Sequence, residues 1–168
     1  MTITYRDIDF SLDEDCDLLA SWFNQDVSAM SLTAKAGETV ESVRKSYSSN
    51  PMNREGFGAF FICIDGKPIG YASFFLNPRH KMSTESVVWP SLAIGDRAYR
   101  RKGLVLKLGE EISRRSRKHG ATHIEAGVFA SNQPMIELLK KYGFSEIGHL
   151  VVGPAKIDSV HFIRPLIE

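Results

Sequence analysis

The sequence predicts a mixed α/β fold in a single domain, and three observations support this prediction. Segments of strand character and segments of helical periodicity follow one another in the order βααβββαβαββ. The 168 residues are enough to bury a core and few for two domains. Hydrophobic residues at 43% and charged residues at 24% are typical of a globular protein. We therefore expect one domain over residues 1–168.

The first part of the chain predicts one strand and two helices. Residues 2–8 alternate apolar and polar side chains, as a strand does. Residues 11–14 form a capping-box pattern that opens a helix over residues 12–24. Thr39 is placed to cap a second helix that ends near Tyr47. Four acidic side chains fall in the first turns of the earlier helix, where the dipole favours them and a catalytic cluster is the weaker interpretation: Asp13, Glu14, Asp15 and Asp17.

Three strands are predicted next. Residues 57–64 and 69–76 flank the hairpin turn at residues 65–66, and residues 87–94 form the third strand. Pro90 interrupts this third strand and removes one N–H group from the sheet. A bulge, a local splaying of the strands or an edge strand would each account for this proline.

A short basic loop then joins the third of these strands to a helix. The loop carries Arg100, Arg101 and Lys102, and Gly103 stands at the helix entrance. The first N–H groups of a helix lack intrahelical partners and lie at the positive end of its dipole. Because Gly103 has no Cβ atom, a ligand can approach the backbone closely there. These features predict a binding site for a phosphate or pyrophosphate, with a solvated helix start as the alternative.

The rest of the chain predicts two helices and three strands. The helix that begins at Leu104 ends near His119, with Gly120 in the left-handed position after it. Asn132 is placed to cap the next helix, which Gly143 ends. The strands are residues 123–129, 145–152 and 159–165, of which the last two form an antiparallel pair.

The basic loop resembles a motif of the GCN5-related N-acetyltransferases (GNAT). Tyr99-Arg-Arg-Lys-Gly-Leu-Val is similar to the acyl-CoA-binding motif (Arg/Gln)-x-x-Gly-x-(Gly/Ala) of that superfamily. Arg100 takes the first position of the motif and Gly103 its first glycine. Val105 stands where glycine or alanine is usual, and Arg101 stands where many members carry another glycine.

A second motif extends the resemblance over nearly the whole chain. Residues 132–144, Asn-Gln-Pro-Met-Ile-Glu-Leu-Leu-Lys-Lys-Tyr-Gly-Phe, are similar to the family signature Asn-x-x-Ala-x-x-Leu-Tyr-x-x-x-Gly-Phe. The two motifs occur in the expected order, with a predicted helix and strand between them. The resemblance implies the GNAT fold, a central mixed, mostly antiparallel twisted sheet of about six to seven strands flanked by about four helices.

The same resemblance implies acetyl-CoA as the co-substrate and no metal. In this family the pyrophosphate lies at the basic loop, and the pantetheine arm bonds a splayed fourth strand as an added β-strand would. Backbone amides of that strand also face the thioester oxygen. For Asn132, a helix cap explains the residue almost as well as a contact with CoA does. The implied cofactor-binding residues are Leu92, Ala93, Ile94, Arg100, Arg101, Lys102, Gly103, Leu104, Val105 and Asn132.

The implied reaction is N-acetylation of a primary amine by direct attack in a ternary complex. Ile94-Gly-Asp96 and residues 15–24 and 66–71 are similar to the branch that holds ribosomal-protein N-terminal and aminoglycoside 6′-N-acetyltransferases. The acceptor is then a small amine, an aminosugar or a protein N-terminus. A non-catalytic acyl-CoA-binding or sensor domain is the rival hypothesis.

The reaction needs an acid and a base, and the sequence offers candidates for each role. The family's tyrosine belongs at position 139, where this chain has Leu139, so Tyr142 one helical turn later is the candidate acid. Glu85 precedes the fourth strand and is the first candidate for the base, with a surface carboxylate as the alternative. His80 and Glu125 are weaker candidates, and Glu125 has the alternative role of pairing with a neighbouring base.

Four side chains are candidates for the acceptor pocket or, alternatively, for the core: Trp22, Phe23, Met30 and Met52. Trp22 and Met30 are the substrate-binding residues that we predict. An aminoglycoside is a polycation, so its pocket requires carboxylates. That reading requires the following side chains to face the cleft: Asp13, Glu14, Asp15 and Asp26.

Composition limits the other classes of function. A formal net charge of +1 does not by itself indicate binding to a polyanion or to a membrane. A nucleic-acid surface over residues 97–102 and 114–118 is the poorest hypothesis, because base-stacking aromatic residues are missing beside these basic runs. Cys16 and Cys63 are predicted to be buried free thiols. The sequence shows no leader or spanning segment, so we expect a cytoplasmic monomer or homodimer.

Overall fold

The computed structural model describes residues 2–25, 37–49, 56–153 and 156–166. Met30, Met52 and Asp26 lie outside these ranges. Within them, seven strands and four α-helices confirm the predicted order βααβββαβαββ, with one short 3₁₀ turn added. The elements are β1 (Ile3–Asp7), α1 (Asp13–Gln25), α2 (Val40–Ser49), β2 (Gly58–Ile64), β3 (Lys67–Leu76), β4 (Val87–Ala93), a 3₁₀ turn (Arg97–Tyr99), α3 (Leu104–Arg117), β5 (His123–Phe129), α4 (Gln133–Lys141), β6 (Ser145–Val152) and β7 (Ile157–Pro165).

The strands form one mixed sheet in the order β1-β2-β3-β4-β5-β7-β6. The pairs β1–β2, β5–β7 and β7–β6 are antiparallel, whereas β4 and β5 are parallel. The turn between β2 and β3 places Asp65 at φ 49° and Gly66 at φ 83°. Two consecutive positive φ values are those of a type I′ turn, which joins antiparallel strands tightly. The predicted hairpin and the mostly antiparallel sheet are thus confirmed.

Pairing between β4 and β5 is confined to the start of β4. Val87 pairs with His123 and Val88 with Ile124, and the ladder ends two residues before Pro90. Proline has no N–H group to donate, so it suits a place where the ladder has stopped. The predicted local splaying agrees with this register. An edge strand is the wrong explanation of Pro90, because β4 lies between β3 and β5.

The chain forms two compact units, and β3 and β4 each contribute to both. The first unit comprises Met1–Ser73 and Ser91–Glu110, and the second comprises Phe74–Pro90 and Glu111–Glu168. The core of the first unit is formed by residues of α1, α2, β2 and β3: Cys16, Leu19, Ala20, Trp22, Val43, Phe61, Cys63 and Tyr71. Both cysteines are free and buried, as predicted. A smaller core in the second unit contains Val128, Ile136, Val160 and Phe162.

Of the three predicted helix caps, those at Thr39 and Asn132 form and the one at Ser11 does not. Thr39 Oγ1 accepts from the N–H of Ser42 at 3.2 Å, and Ser42 Oγ accepts from the N–H of Thr39 at 2.8 Å, which confirms the cap of α2. The cap predicted for α1 is wrong. That helix begins at Asp13, and the hydroxyl of Ser11 donates to Asp9 Oδ1 at 2.6 Å, closing the turn that precedes it.

Asp15 of α1 is structural, as its place in the first turn predicts. Its carboxylate is 4% exposed and accepts two hydrogen bonds from Arg6, at 2.7 and 2.9 Å, and one from the N–H of Asp9 at 2.9 Å. The contact ties α1 to β1. Within the described ranges, no helix has both the length and the apolar character needed to cross a membrane.

Candidate functional site

The loop between β4 and α3 is fixed at its entrance by Asp96. Asp96 Oδ1 accepts from the N–H of Ala98 at 3.0 Å, and the N–H of Asp96 donates to Ile69 O of β3 at 3.0 Å. Lys67 Nζ lies 3.3 Å from Asp96 Oδ2. The Ala98 N–H and Lys67 together hold the pKa of Asp96 below its usual value. Asp96 is therefore a charged cap that sets the course of the loop.

Arg100 folds back onto the end of β4. Its Nε donates to Ile94 O at 2.9 Å, and one of its terminal nitrogens donates to Gly95 O at 3.3 Å. A guanidinium group offers donors in a rigid fork, which suits two neighbouring carbonyl groups. The Arg100 side chain thus holds the loop against the strand, a contact that the motif alone does not reveal.

Two residues of the loop have left-handed backbone. Arg101 has φ 61° and Gly103 has φ 73°. A Cβ atom at Gly103 would meet nothing within 4 Å, so the backbone angle, rather than lack of space, favours glycine there. The angle at Arg101 gives a physical reason for the glycine that many family members carry at this position.

The loop leads into a helix start that is well suited to an anion. α3 has no acidic residue in its first turn, and its leading N–H groups lie beside the exposed Arg101 and Lys102. Lys102 Nζ lies 5.0 Å from the ring centroid of Tyr99. The structure therefore brings Arg100 to Val105 together in one loop, in which backbone donors and two cationic side chains can meet a pyrophosphate.

The last residues of β4 lead directly to this loop. Leu92 and Ala93 end the strand, and Ile94, which is 7% exposed, follows it. A Cβ atom at Gly70 of β3 would lie 2.7 Å from Ala93 O, so only glycine lets the two strands approach so closely. The predicted role of these backbone amides toward a thioester remains a prediction.

Trp22 belongs both to the core and to a cleft. Its side chain is 4% exposed and meets Phe61 edge-on, with 5.8 Å between the ring centroids. A Cβ atom at Gly95 would lie 2.0 Å from the indole, so the ring lies directly on that glycine. A cleft of about 560 Å³ in the same unit is lined by Leu18, Trp22, Gln25, Lys67, Pro68, Gly95, Asp96 and Arg97. The other predicted substrate-binding residue, Met30, lies outside the described residues.

Phe23 and two of the acidic candidates are engaged in packing or ion pairs. Phe23 meets Tyr71 edge-on, with 5.4 Å between the ring centroids. Asp13 pairs with Arg44 of α2, and Asp15 is buried against Arg6. These two carboxylates are thus already neutralised within the protein.

Asn132 acts as the cap of α4. Its Oδ1 accepts from the N–H of Met135 at 3.4 Å, and Pro134 lies in the first turn, as predicted. Leu139 packs against the small core of the second unit. Tyr142 ends the helix with a side chain that is 36% exposed, and its carbonyl accepts from Arg164 at 2.9 Å. Tyr142 is therefore at the surface, while Leu139 is partly buried against the small core.

Glu85 lies at the surface of the second unit. Its side chain is 53% exposed, and its carboxylate lies 3.7 Å from His123 Nδ1 at the start of β5. This position suits the surface carboxylate that the sequence left as the alternative. Its role as a base stays a prediction.

A buried polar cluster in the second unit contains a residue that sequence reasoning missed. Glu125 of β5 is fully buried, and Oε1 of its carboxylate lies 3.5 Å from Nδ1 of His161 on β7. His161 is 2% exposed and stands in the otherwise apolar run Val160-His-Phe-Ile163, which was the one available signal. Within the described ranges, no group of three or more His, Cys, Asp and Glu side chains is placed to hold a metal ion.

Comparisons with known proteins agree with the two sequence motifs. The model of a family described as the acetyltransferase (GNAT) family matches residues 19–144. Among the curated proteins, no match was found. Many solved structures match this chain.

The aminoglycoside acetyltransferase AAC(6′)-Ib in complex with coenzyme A is 20% identical, with a TM-score of 0.75 over 98% of this chain and 95% of that one. The same enzyme with coenzyme A and kanamycin has a TM-score of 0.74 at 20% identity, over 98% and 95% of the two chains. The putative acetyltransferase yncA from Salmonella typhimurium with acetyl-CoA is 22% identical, with a TM-score of 0.73 over 100% and 96%. At these identities the likeness is one of fold.

Proposed function

Because the chain belongs to the acetyltransferase (GNAT) family, we propose that it transfers the acetyl group of acetyl-CoA to the nitrogen of a primary amine. The observation that carries the proposal is the loop from Arg100 to Val105, which joins left-handed backbone, cationic side chains and a helix start. Structural neighbours bound to acetyl-CoA, and to coenzyme A with kanamycin, support this donor and this class of acceptor.

The residues of the loop fit a pyrophosphate. Arg101 and Lys102 are exposed and supply positive charge, and the amides from Gly103 to Val105 supply donors at the positive end of the α3 dipole. Arg100 takes a supporting role, since its guanidinium group holds the carbonyls of Ile94 and Gly95. Asn132 is proposed to contact the CoA arm in addition to capping α4.

Acetyl-CoA, when bound, supplies an acetyl thioester, and the protein must meet three needs of its reaction with an amine. The reactants must be held together, which can supply much of the rate. A donor must face the thioester oxygen, and we assign this to backbone amides at Leu92 to Ile94. A group must take a proton from the amine, and the departing sulfur must be protonated. For this last step the exposed phenol of Tyr142 is the proposed donor.

The acceptor is proposed to be a small amine, an aminosugar or a protein N-terminus. The AAC(6′)-Ib neighbours include complexes with kanamycin, ribostamycin and paromomycin. In this chain Asp13 and Asp15 are paired with arginines and offer little free charge to a polycation. A small monoamine or a protein N-terminus therefore fits the described carboxylates better than an aminoglycoside does.

One observation favours a second candidate, a non-catalytic acyl-CoA sensor. Leu139 holds the position of the family's tyrosine and packs in an apolar cluster. Such a protein would bind acetyl-CoA without turnover. A thiolate can also leave without an acid, so measured turnover on any amine decides between the two.

Calorimetric titration with acetyl-CoA tests the proposal. One-to-one binding is expected in the wild type, with at least about tenfold weaker binding, or about 1.4 kcal/mol, in Arg101→Glu. Lys141→Glu, a charge reversal of the same size at an exposed position of α4, is the matched control and should bind as the wild type does. Equal binding by all three proteins would contradict the loop assignment, and no binding by the wild type would contradict the function.

Turnover is then measured by thiol release with a panel of amines. Ethanolamine, kanamycin and a peptide with a free N-terminus represent the three acceptor classes: a small amine, an aminosugar and a protein N-terminus. Release above the rate without amine supports the transferase. Binding without release from any of the three supports the sensor.

A further inference from the structure

Glu125 is a buried carboxylate that anchors the connection between β3 and β4. Its Oε1 accepts from the N–H of Met82 at 2.6 Å, and its Oε2 accepts from the N–H of Ser83 at 3.1 Å. Both donors are neutral, although a buried charge usually has a charged partner. The ionisable group beside this carboxylate is His161, whose Nδ1 lies 3.5 Å from Oε1.

In the part of the chain that the structure describes, one ring nitrogen of His161 lacks a hydrogen-bond partner. Its side chain is 2% exposed, and within the described residues Nδ1 has no hydrogen-bond partner. At 3.5 Å the approach to Glu125 is longer than a normal N–H···O bond, and a small closing movement would complete it. Buried polar atoms without partners are rare in folded proteins, and a catalytic role is one of the explanations for them.

Two aromatic side chains lie against this pair. The Trp89 ring lies 5.3 Å from the His161 ring, tilted by 52°, and His80 meets Trp89 edge-on at 4.4 Å. A Cβ atom at Gly127 would lie 3.1 Å from Trp89 Cη2, so this glycine leaves room for the indole on β5. Burial lowers the pKa of His80, nearby His161 lowers it further, and Glu125 opposes them. His80 is exposed and Trp89 is partly exposed, so this aromatic layer has a side open to solvent.

We infer that His161, oriented by Glu125, takes a proton from the ammonium group of the acceptor. Trp89 and His80 form the aromatic surface on which that ammonium group binds. The inference rests on the proposed transferase function. Once a closing movement shortens the 3.5 Å approach, Glu125 accepts from Nδ1–H, and His161 then takes the tautomer in which Nε2 is the free base. An aromatic face attracts an ammonium group, and the buried carboxylate adds to that attraction. Glu125 is then a positioning residue, since it acts through the imidazole.

The proton and electron balance of the step is as follows. The ammonium group gives one proton to His161 Nε2, which later releases it to solvent. The nitrogen lone pair forms the C–N bond to the carbonyl carbon, and the C–S bond breaks with its electron pair leaving on sulfur. The phenol of Tyr142 protonates that sulfur and is reprotonated by the second proton lost from the nitrogen, so the products are an amide and a thiol.

The first test is an NMR titration of the imidazole C2–H resonances in the full-length protein with coenzyme A present. The chain has five histidines, and single glutamine variants of the other four assign His161 by elimination without altering it. An amine from the panel that is acetylated should shift the His161 resonance. Glu125→Gln should weaken this response to the amine, because the carboxylate that orients the imidazole is lost. An unshifted resonance on amine addition would overturn the inference, even if His161 variants fail to fold.

The second test is the pH dependence of turnover. His161→Gln should reduce kcat at least about 100-fold while acetyl-CoA binding, measured by calorimetry, stays within twofold of wild type. Glu125→Gln should move the acidic limb of kcat/KM to lower pH, a change that a purely structural anchor would not cause. His149→Gln and Asp158→Asn, at exposed positions of β6 and β7, are the matched controls and should keep the wild-type profile.

The outcomes separate the two proposals. If His161→Gln and Glu125→Gln both acetylate the amine at the wild-type rate and with the wild-type pH profile, the role of His161 is overturned. The proposed transferase function is then unaffected. Absence of acetyl-CoA binding or of any acetylation by the wild type overturns both.

Discussion

At the scale of single residues, the charge of the basic loop is divided among different tasks. Arg100 is engaged with the carbonyls of Ile94 and Gly95, and Lys102 lies over the Tyr99 ring. Arg101 is exposed in a left-handed conformation that its side chain makes unfavourable. Arg101 is thus an exposed loop cation whose backbone angle costs stability, and its binding role remains a proposal.

The left-handed angles predict opposite effects of two substitutions. Arg101→Gly relieves the unfavourable angle and should raise the free energy of unfolding by up to about 1 kcal/mol. Gly103→Ala imposes such an angle and should lower it by about 1 kcal/mol. Urea denaturation measures both. A loss of stability in Arg101→Gly would mean that the arginine side chain stabilises the folded loop.

A pH-dependent contribution to stability is expected from Asp15. Burial alone would raise the pKa of its carboxyl group, but the hydrogen bonds from Arg6 and from the Asp9 N–H outweigh burial and lower it. A lowered folded-state pKa adds stability above the unfolded value near 3.8, and this stability is lost as the pH falls through the folded-state pKa. Asp15→Asn should therefore cost about 2 kcal/mol at neutral pH.

This cost should shrink when the denaturation is repeated in acid, as the pH falls below 3.8 and through the lowered folded-state pKa of Asp15. Asp17→Asn, an exposed position on the same helix, is the control. A cost that stays constant with pH would contradict the ion pair with Arg6 as its source.

At the scale of elements, the proposed anion site lies where β4 ends and α3 begins. The β4–β5 ladder stops after Val88, and Pro90 follows where no ladder donor is needed. The Asp96 cap then directs the chain toward α3. The proposed anion site thus depends on how one strand ends and one helix begins.

Two substitutions can distinguish the two roles of Asn132, the cap of α4 and the proposed contact with CoA. Asn132→Ala removes the side-chain cap of α4 and should lower the free energy of unfolding by about 1 kcal/mol. Asn132→Ser keeps a capping oxygen and should stay close to the wild type in stability. Weaker acetyl-CoA binding by the stable serine variant would establish the additional contact with CoA. An alanine variant as stable as the wild type would exclude the cap as a source of stability.

At the scale of the whole molecule, charge is close to balanced. The net charge of +1 gives no general attraction to polyanions, and the basic residues of α3 are partly neutralised by Glu111. Glu111 pairs with Arg114 and Arg115, and these hydrogen bonds outweigh its burial and lower its pKa. Two of the basic residues at the end of this helix, Arg114 and Arg115, are therefore engaged in ion pairs within the helix.

This balance predicts weak binding to nucleic acid. A fluorescent single-stranded oligonucleotide should show no saturable binding at physiological salt, whereas acetyl-CoA binding should persist there. Fluorescence anisotropy measures the first and calorimetry the second. Tight oligonucleotide binding that weakens steeply with salt would instead support a nucleic-acid surface.

Sequence by itself determined the order of elements, the family and the caps at Thr39 and Asn132. These features depend on residues within a few positions of one another, where periodicity and local hydrogen bonds act. It misplaced the cap of α1, because Ser11 found a competing local partner in Asp9.

Only the tertiary structure decided which distant side chains meet. The register of β5 against β7 brings Glu125 and His161 together, and the packing of α1 lays Trp22 on Gly95. Arg100 turned toward strand carbonyls rather than toward a ligand, because those carbonyls needed donors. Such pairings follow from sheet register and close packing, which no local pattern in the chain encodes.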